Sequence, residues 1–177
     1  MILYGLLKVL DPLATLTFVG ANTKNIALGT SDIDILFHTP IVLAKRFATL
    51  DVLSEGRAIA GFGIGQASNI PFSNRGMMAD EFIQAIKNIW TDDIVEYKGE
   101  FYNIPKSIIG PKPVQKPCIP IYLGGFSPNT LNRIAKYDAD GWLGVCAYVI
   151  SPLFIFHVNI FSGQITTHMS PTPIFRY

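Results

Sequence analysis

Nine consecutive residues, Arg57-Ala58-Ile59-Ala60-Gly61-Phe62-Gly63-Ile64-Gly65, constrain this chain more than any others. The run is apolar at successive positions without alternation, so a strand built from it is buried on both faces, as strands of parallel sheets are. Gly61, Gly63 and Gly65 weaken such a strand, and the usual reason for tolerating them is close approach of a ligand or of another backbone. Two readings stand at this point. The strand ends in part of a cofactor floor, or it is a tightly packed core strand curved by its glycines.

The flanking segments repeat one pattern. Asp11-Pro12 opens a helix with an N-cap and a proline at the first helical position, and Leu13 to Gly20 supplies small and apolar residues for packing on a sheet. Asn22 to Asn25 is a polar turn, and Ile26-Ala27-Leu28-Gly29-Thr30 a second short buried strand. Thr39-Pro40 starts the next helix, with Leu43, Ala44, Phe47, Ala48 and Leu50 as its apolar stripe and Lys45, Arg46 and Asp51 outside it. Gly56 closes that helix in the left-handed position. After a polar loop from Gln66 to Asn74, capped by Ser73 or Asn74, Met78, Phe82, Ile86 and Ile89 recur at helical spacing.

Tyr97 to Tyr102 reads as a hairpin, and Pro105, Pro111, Pro113, Pro117 and Pro120 impose extended backbone. Ile119 to Leu123 is the third strand, Ser127-Pro128 opens a helix buried through Leu131, Ile134 and Ala135, and Asp140-Gly141 leads into a fourth strand, Trp142 to Val145. Alternating helices and strands imply parallel strands with helical crossovers, either a doubly wound sheet or a (β/α) barrel.

Composition narrows the partners. The 177 residues fit one domain, and 14 basic against 13 acidic residues, scattered along the chain, call for neither nucleic acid nor an anionic membrane surface. Cys118 and Cys146 lack metal-ligand spacing and point to a reduced, cytoplasmic protein. The N-terminus carries no signal-peptide pattern, and the apolar run Val145 to Phe161 is interrupted by Ser151, Pro152, His157 and Asn159, short of a membrane span.

Gly124-Gly125-Phe126-Ser127-Pro128-Asn129-Thr130 is the strongest site signal. Glycines past a strand and the free N–H groups of a helix start favour an anion, and Ser127 and Thr130 add hydroxyls. An ordinary strand-to-helix turn capped by Ser127 explains the same residues. Arg75, at the start of the helix that follows the Arg57 to Gly65 strand, is either a solvated first-turn residue or a bidentate phosphate ligand. His38 is isolated, and Gly61 to Gly65 has the wrong spacing for a dinucleotide fingerprint.

The combination is more specific than any part. Ile26 to Thr30, the Ser54-Glu55-Gly56-Arg57 entry and Gly61 to Gly65 are followed by Asp80-Glu81, Ile89-Trp90-Thr91, Gly99-Glu100-Phe101-Tyr102, Pro111-Lys112-Pro113-Val114-Gln115, Ile121 to Gly125 and Asp140-Gly141-Trp142. In this order, over about residues 4 to 145, the chain resembles the bacterial-luciferase-like monooxygenase family, including its deazaflavin-using branch.

The resemblance implies a (β/α)₈ barrel that binds FMN or the deazaflavin coenzyme F-420 at the C-terminal ends of its strands. Phosphate contacts are implied at Phe126 and Ser127 through backbone N–H, at the Thr130 hydroxyl and at Arg75, with Gly125 also cofactor-binding, and ring contacts at Thr30, Ser31, Asp32, Gly63, Gly65 and Gln66. It also implies a cis peptide between Ser31 and Asp32. The implied activity is hydride or oxygen transfer on a small organic substrate. Catalytic residues are not identified, and no metal is implied.

The departures are equally specific. The chain is expected to supply about strands three to six of the eight, giving a partial barrel over residues 1–145. Residues 146–177 form a divergent tail without family motifs, read as a frame-shifted or fused segment or a lineage-specific replacement. An inactive barrel fragment that keeps at most phosphate or flavin binding is therefore the alternative to an oxidoreductase. Half a barrel exposes strand edges, so a second copy or a partner chain is expected to cover them, with Leu153-Phe154-Ile155-Phe156 as a candidate cover for one edge.

Overall fold

The computed structural model describes residues 10–65 and 71–144, together with the backbone of 157–161 and 164–168. Gln66, Cys146 and the Leu153 to Phe156 run lie outside the described residues. The first element among the described residues is α1 (Pro12–Asn22), where Asp11 Oδ1 accepts the Ala14 N–H at 2.7 Å. Then come β1 (Leu28–Gly29), β2 (Ile33–Asp34), a 3₁₀ turn at Ile35–Phe37, α2 (Pro40–Leu53) and β3 (Ala58–Gly63). The helix α3 (Phe72–Thr91) leads to the hairpin β4 (Val95–Lys98) and β5 (Asn103–Ser107). After it come β6 (Ile121–Gly124), α4 (Pro128–Tyr137) and β7 (Gly141–Leu143), and finally β8 (His157–Phe161) and β9 (Gln164–His168).

The β3 strand is the axis of the sheet. It pairs in parallel with β1 and β2 on one side and with β6 on the other, and β6 pairs in parallel with β7. The parallel strand–helix order expected from the sequence is therefore present. Beyond β7 the backbone turns antiparallel, β7 to β8 and β8 to β9.

On its helix-facing side β3 carries Phe62, which meets Phe47 of α2 edge-on at 5.6 Å and Phe82 of α3 at 6.2 Å. Trp90 packs on Phe47 at 6.3 Å and donates its indole N–H to the Ala44 carbonyl at 3.0 Å. Burial of these rings supplies both apolar area and edge-to-face attraction.

The opposite side explains the glycines. At Gly61 a methyl group would overlap the Thr30 carbonyl, so here the close approach is of backbone to backbone. Thr30 is buried, its hydroxyl donating to the Gly61 carbonyl at 2.9 Å and accepting the Gly61 N–H at 3.0 Å. From Gly29 to Ile33 the β1–β2 segment advances one residue more than β3 does from Ile59 to Phe62, which is the signature of a bulge. The extra residue falls within Thr30 to Asp32, and the Ser31–Asp32 bond is cis.

Several local expectations are corrected. Thr39 precedes Pro40 but makes no side-chain cap bond, and Ser73 and Asn74 lie inside α3, whose N-cap position is Pro71. In α4 the buried face is Thr130, Ile134 and Tyr137, while Leu131 and Ala135 are exposed, because that spacing turns toward α3 and the sheet. The strand expected over Ile26 to Thr30 is shorter, Leu28–Gly29, with Ile26 and Ala27 exposed. The Gly110–Pro111 and Lys116–Pro117 bonds of the proline-rich segment are cis.

Asp51 departs most from expectation. It does not lie on an outer face but is fully buried, and both oxygens are used. Oδ2 accepts the N–H groups of Val114 at 2.8 Å and Gln115 at 3.1 Å, while Oδ1 accepts the Gln115 side-chain amide at 2.7 Å and the Ala58 N–H at 3.4 Å. One carboxylate thus ties α2 and the start of β3 to the proline-rich run. Glu81 works similarly, accepting the N–H groups of Glu100, Phe101 and Tyr102 and docking the hairpin on α3.

Replacing Asp51 by Ala strands these donors in the interior, and a loss of about 3 kcal/mol in unfolding free energy is expected. Urea denaturation measures it, and an unchanged midpoint would remove Asp51 from this role. The Gly61→Ala variant forces Thr30 off β3 and is expected to cost at least as much, about 3 kcal/mol, read in the same assay.

Candidate functional site

The C-terminal ends of β3 and β6 and the first turns of α3 and α4 enclose a cleft of about 510 Å³. Its lining brings together Asp32, Gly65, Arg75, Gly125, Phe126, Ser127 and Thr130, all singled out in the sequence. Parallel strands put their C-terminal ends and the following helix N-termini on one side of the sheet, so residues distant in sequence converge there.

The α4 end of the cleft gathers polar groups at a helix start. Ser127 occupies the N-cap position, yet its hydroxyl makes no capping bond to the helix backbone. It lies 3.4 Å from the hydroxyl of Thr130, which is buried. Pro128 has no N–H and the Thr130 N–H donates to the Ser127 carbonyl at 2.9 Å, which leaves the Asn129 N–H in this first turn, and the helix dipole favours negative charge beside it.

Gly125 has φ +129°, and a Cβ there would sit 2.7 Å from Thr130 Oγ1. The turn is held by the Trp142 indole, which donates to the Gly125 carbonyl at 2.6 Å. Phe126 projects outward, 63% exposed, at the cleft rim.

Arg75, in the first turn of α3, lines the same cleft. Sequence reasoning missed Arg133, which also lines it. Its guanidinium pairs with Asp80 and donates to the Gly76 carbonyl at 3.1 Å, and Lys136 reaches the other Asp80 oxygen at 3.4 Å. Asp80 and Arg133 are 53 residues apart, and no local spacing announces the pair. Ser73, Gly76 and Asn129 complete the polar lining.

The remaining candidates divide. Thr30 and Ser31 line a second cleft of about 480 Å³, with Leu10, Pro12, Thr15 and Leu16 of the α1 end, and Asp32 belongs to both clefts. The Thr30 hydroxyl is committed to Gly61, so this residue locks strands together. Gly63 lies beneath the main cleft, lining a small cavity with Phe62 and Ile64. Methyl groups at Gly63 and Gly124 would both overlap the Asp32 carboxylate, and one at Gly65 would overlap that of Asp34.

His38 and Cys118 line neither cleft. Burial, then the Arg46 charge, lowers the His38 imidazole below its ordinary value, and burial pushes the Cys118 thiol up. A cysteine held as thiol is a poor nucleophile.

Residues 3–147 match the family described as luciferase-like monooxygenase. An uncharacterized protein of Mycobacterium tuberculosis is 36% identical over 143 residues, which cover 77% of this chain and 50% of that one. An F420-dependent glucose-6-phosphate dehydrogenase of Kineococcus radiotolerans is 34% identical over 140 residues, covering 74% of this chain and 41% of that one. Among solved structures, the monooxygenase RslO1 from Streptomyces bottropensis superposes with a TM-score of 0.71 at 26% identity, over 80% of this chain and 44% of that one.

The chain spans about half the length of the relatives it matches. Its parallel α/β sheet is accordingly a partial (β/α)₈ barrel. This chain belongs to the luciferase-like monooxygenase family.

Proposed function

We propose that this chain is the cofactor-holding part of an oxidoreductase that works with a reduced flavin or deazaflavin on a small organic substrate. The observation that carries the reading is the uncapped α4 N-terminus, facing the same cleft as Arg75 and flanked by Gly125, Ser127 and Thr130. Those residues fit a phosphate group: the helix start at Asn129, the hydroxyls of Ser127 and Thr130 and the Arg75 guanidinium line the same cleft, beside a turn where a side chain at Gly125 would meet the Thr130 hydroxyl. Phe126 is taken as a further phosphate contact, through its backbone. The ring, with its hydride or oxygen chemistry, belongs toward Asp32, Ser31, Thr30, Gly63 and Gly65. Gln66, assigned to the same ring region, adjoins the described residues at Gly65.

Coenzyme F-420 is favoured over FMN by the relative whose name carries it. Residues 1–145 are taken as the barrel portion, with 146–177 a divergent tail whose β8 backbone extends the same sheet. No helix among the described residues is long and apolar enough to cross a membrane, in keeping with a cytoplasmic site of action.

A second reading rests on the chain's covering about half of its relatives. Among the described residues β1 pairs on one side only, with β3. An open parallel edge invites pairing, so a second copy or a partner chain would complete the barrel, and without it the fragment would bind cofactor and not turn over. Sedimentation equilibrium separates the readings: self-association or a required partner supports the fragment, and a monomer that turns over substrate excludes it.

Loss of the Arg75 guanidinium in Arg75→Ala is expected to weaken FMN binding about tenfold. Riboflavin, which lacks the phosphate, should bind both proteins alike. Equal losses for the two ligands would place Arg75 elsewhere than at the phosphate.

A further inference from the structure

Two arginines line the main cleft, Arg75 on α3 and Arg133 on α4. The Arg133 side chain is only 10% exposed and borders the small cavity beneath the cleft, with Ile83 and Thr130. Two of its three guanidinium nitrogens are committed to α3, Nε to the Asp80 carboxylate and Nη2 to the Gly76 carbonyl at 3.1 Å. Gly76 directly follows Arg75 in the chain.

Position 76 carries the mark of this contact. Glycine inside a helix is costly in backbone entropy, yet Gly76 sits near the start of α3 with fifteen residues of helix after it. A Cβ there would lie 3.1 Å from Arg133 Nη2, closer than ordinary van der Waals contact. The missing side chain lets the guanidinium reach the α3 backbone. Asp80 lies one turn along on the same face, and its second oxygen accepts from Lys136 of α4 at 3.4 Å. Away from the cleft, Lys87 of α3 donates to the carbonyls of Tyr137 and Asp138 at the end of α4. The two helices are therefore joined at two levels, and the Arg133 level is the one that borders the cleft.

We infer that Arg133 is a positioning residue: it clamps the first turns of α3 against α4, and so sets where the Arg75 guanidinium stands relative to the α4 helix start. The inference rests on the phosphate reading above and divides the work between the two arginines. A guanidinium paired with a carboxylate and a carbonyl has spent donors and charge on its own protein. A phosphate drawing Arg133 away would leave Asp80 and the Gly76 carbonyl without it.

The sign of the charge effect separates a clamp from a ligand. Asp80 is acidic, so Asp80→Asn makes this wall of the cleft more positive, and charge alone would tighten the hold on an anion. The clamp requires the reverse, because Arg133 loses the partner that fixes it.

The test is fluorescence titration of FMN and riboflavin into wild type, Arg75→Ala, Asp80→Asn, Arg133→Met and the Arg75→Ala/Arg133→Met double variant, with thermal melting of each. Asp80→Asn is expected to weaken FMN about threefold and Arg133→Met about fivefold, with riboflavin unchanged. In the double variant Arg133→Met should cost nothing beyond Arg75→Ala, since the side chain it positions is gone.

Unchanged or tighter FMN binding by Asp80→Asn overturns the clamp, and that variant decides alone if Arg133→Met does not fold. An additive loss in the double variant also overturns it and puts Arg133 on the phosphate itself. So does a loss of riboflavin in step with FMN, which reduces Arg133 to a support of the fold. Wild-type protein that binds FMN no better than riboflavin, or binds neither, overturns the phosphate reading and the clamp together.

Discussion

The approach of Thr30 to Gly61 is the contact on which the upper end of this sheet depends. A hydroxyl that both donates to and accepts from one glycine's backbone draws the β1–β2 strand against β3, closer than any side chain at position 61 would permit. The extra residue then has to bulge, and the bulge delivers Asp32 over the ends of β3 and β6. The glycines of the opening motif therefore act at different points of one arrangement. Gly61 admits a backbone, and Gly63 admits the carboxylate that this backbone carries.

Stability and site geometry are largely separate in the structure. Asp51, Arg57 and Glu81 each satisfy several backbone groups, tying the helices to the loops that leave them. Each lies in or beside a short motif that helped to place the chain in its family, and none lines the main cleft. The motifs around Ser54 to Arg57, Glu81 and Gly99 to Tyr102 thus report on how the barrel is built. The groups facing the cleft come from the turn after β6, the first turn of α3 and the bulge.

The legible part of the sequence was what short-range chemistry decides. Apolar runs without alternation, prolines at helix starts and the Gly-Gly turn placed the parallel strands, their order and the turn at the α4 end of the cleft. What lay beyond it was set by contacts between distant residues. The burial of Asp51 depends on backbone donors more than sixty positions away, and the role of Arg133 on Asp80. A charged residue on a helix otherwise reads as an outer face. The face of α4 was misjudged for a related reason: buried Thr130 counted as polar, although its hydroxyl has a partner in Ser127.

The central claim is that the cleft takes a phosphorylated flavin or deazaflavin by its phosphate at the α4 end. The most direct measurement is an equilibrium titration of FMN and of coenzyme F-420 into the folded protein, followed by ring fluorescence and repeated with inorganic phosphate as competitor. Saturable binding of at least one of them, displaced by phosphate in a one-to-one manner, is the predicted result. Saturable binding that phosphate leaves untouched, or no binding of either coenzyme, would contradict it.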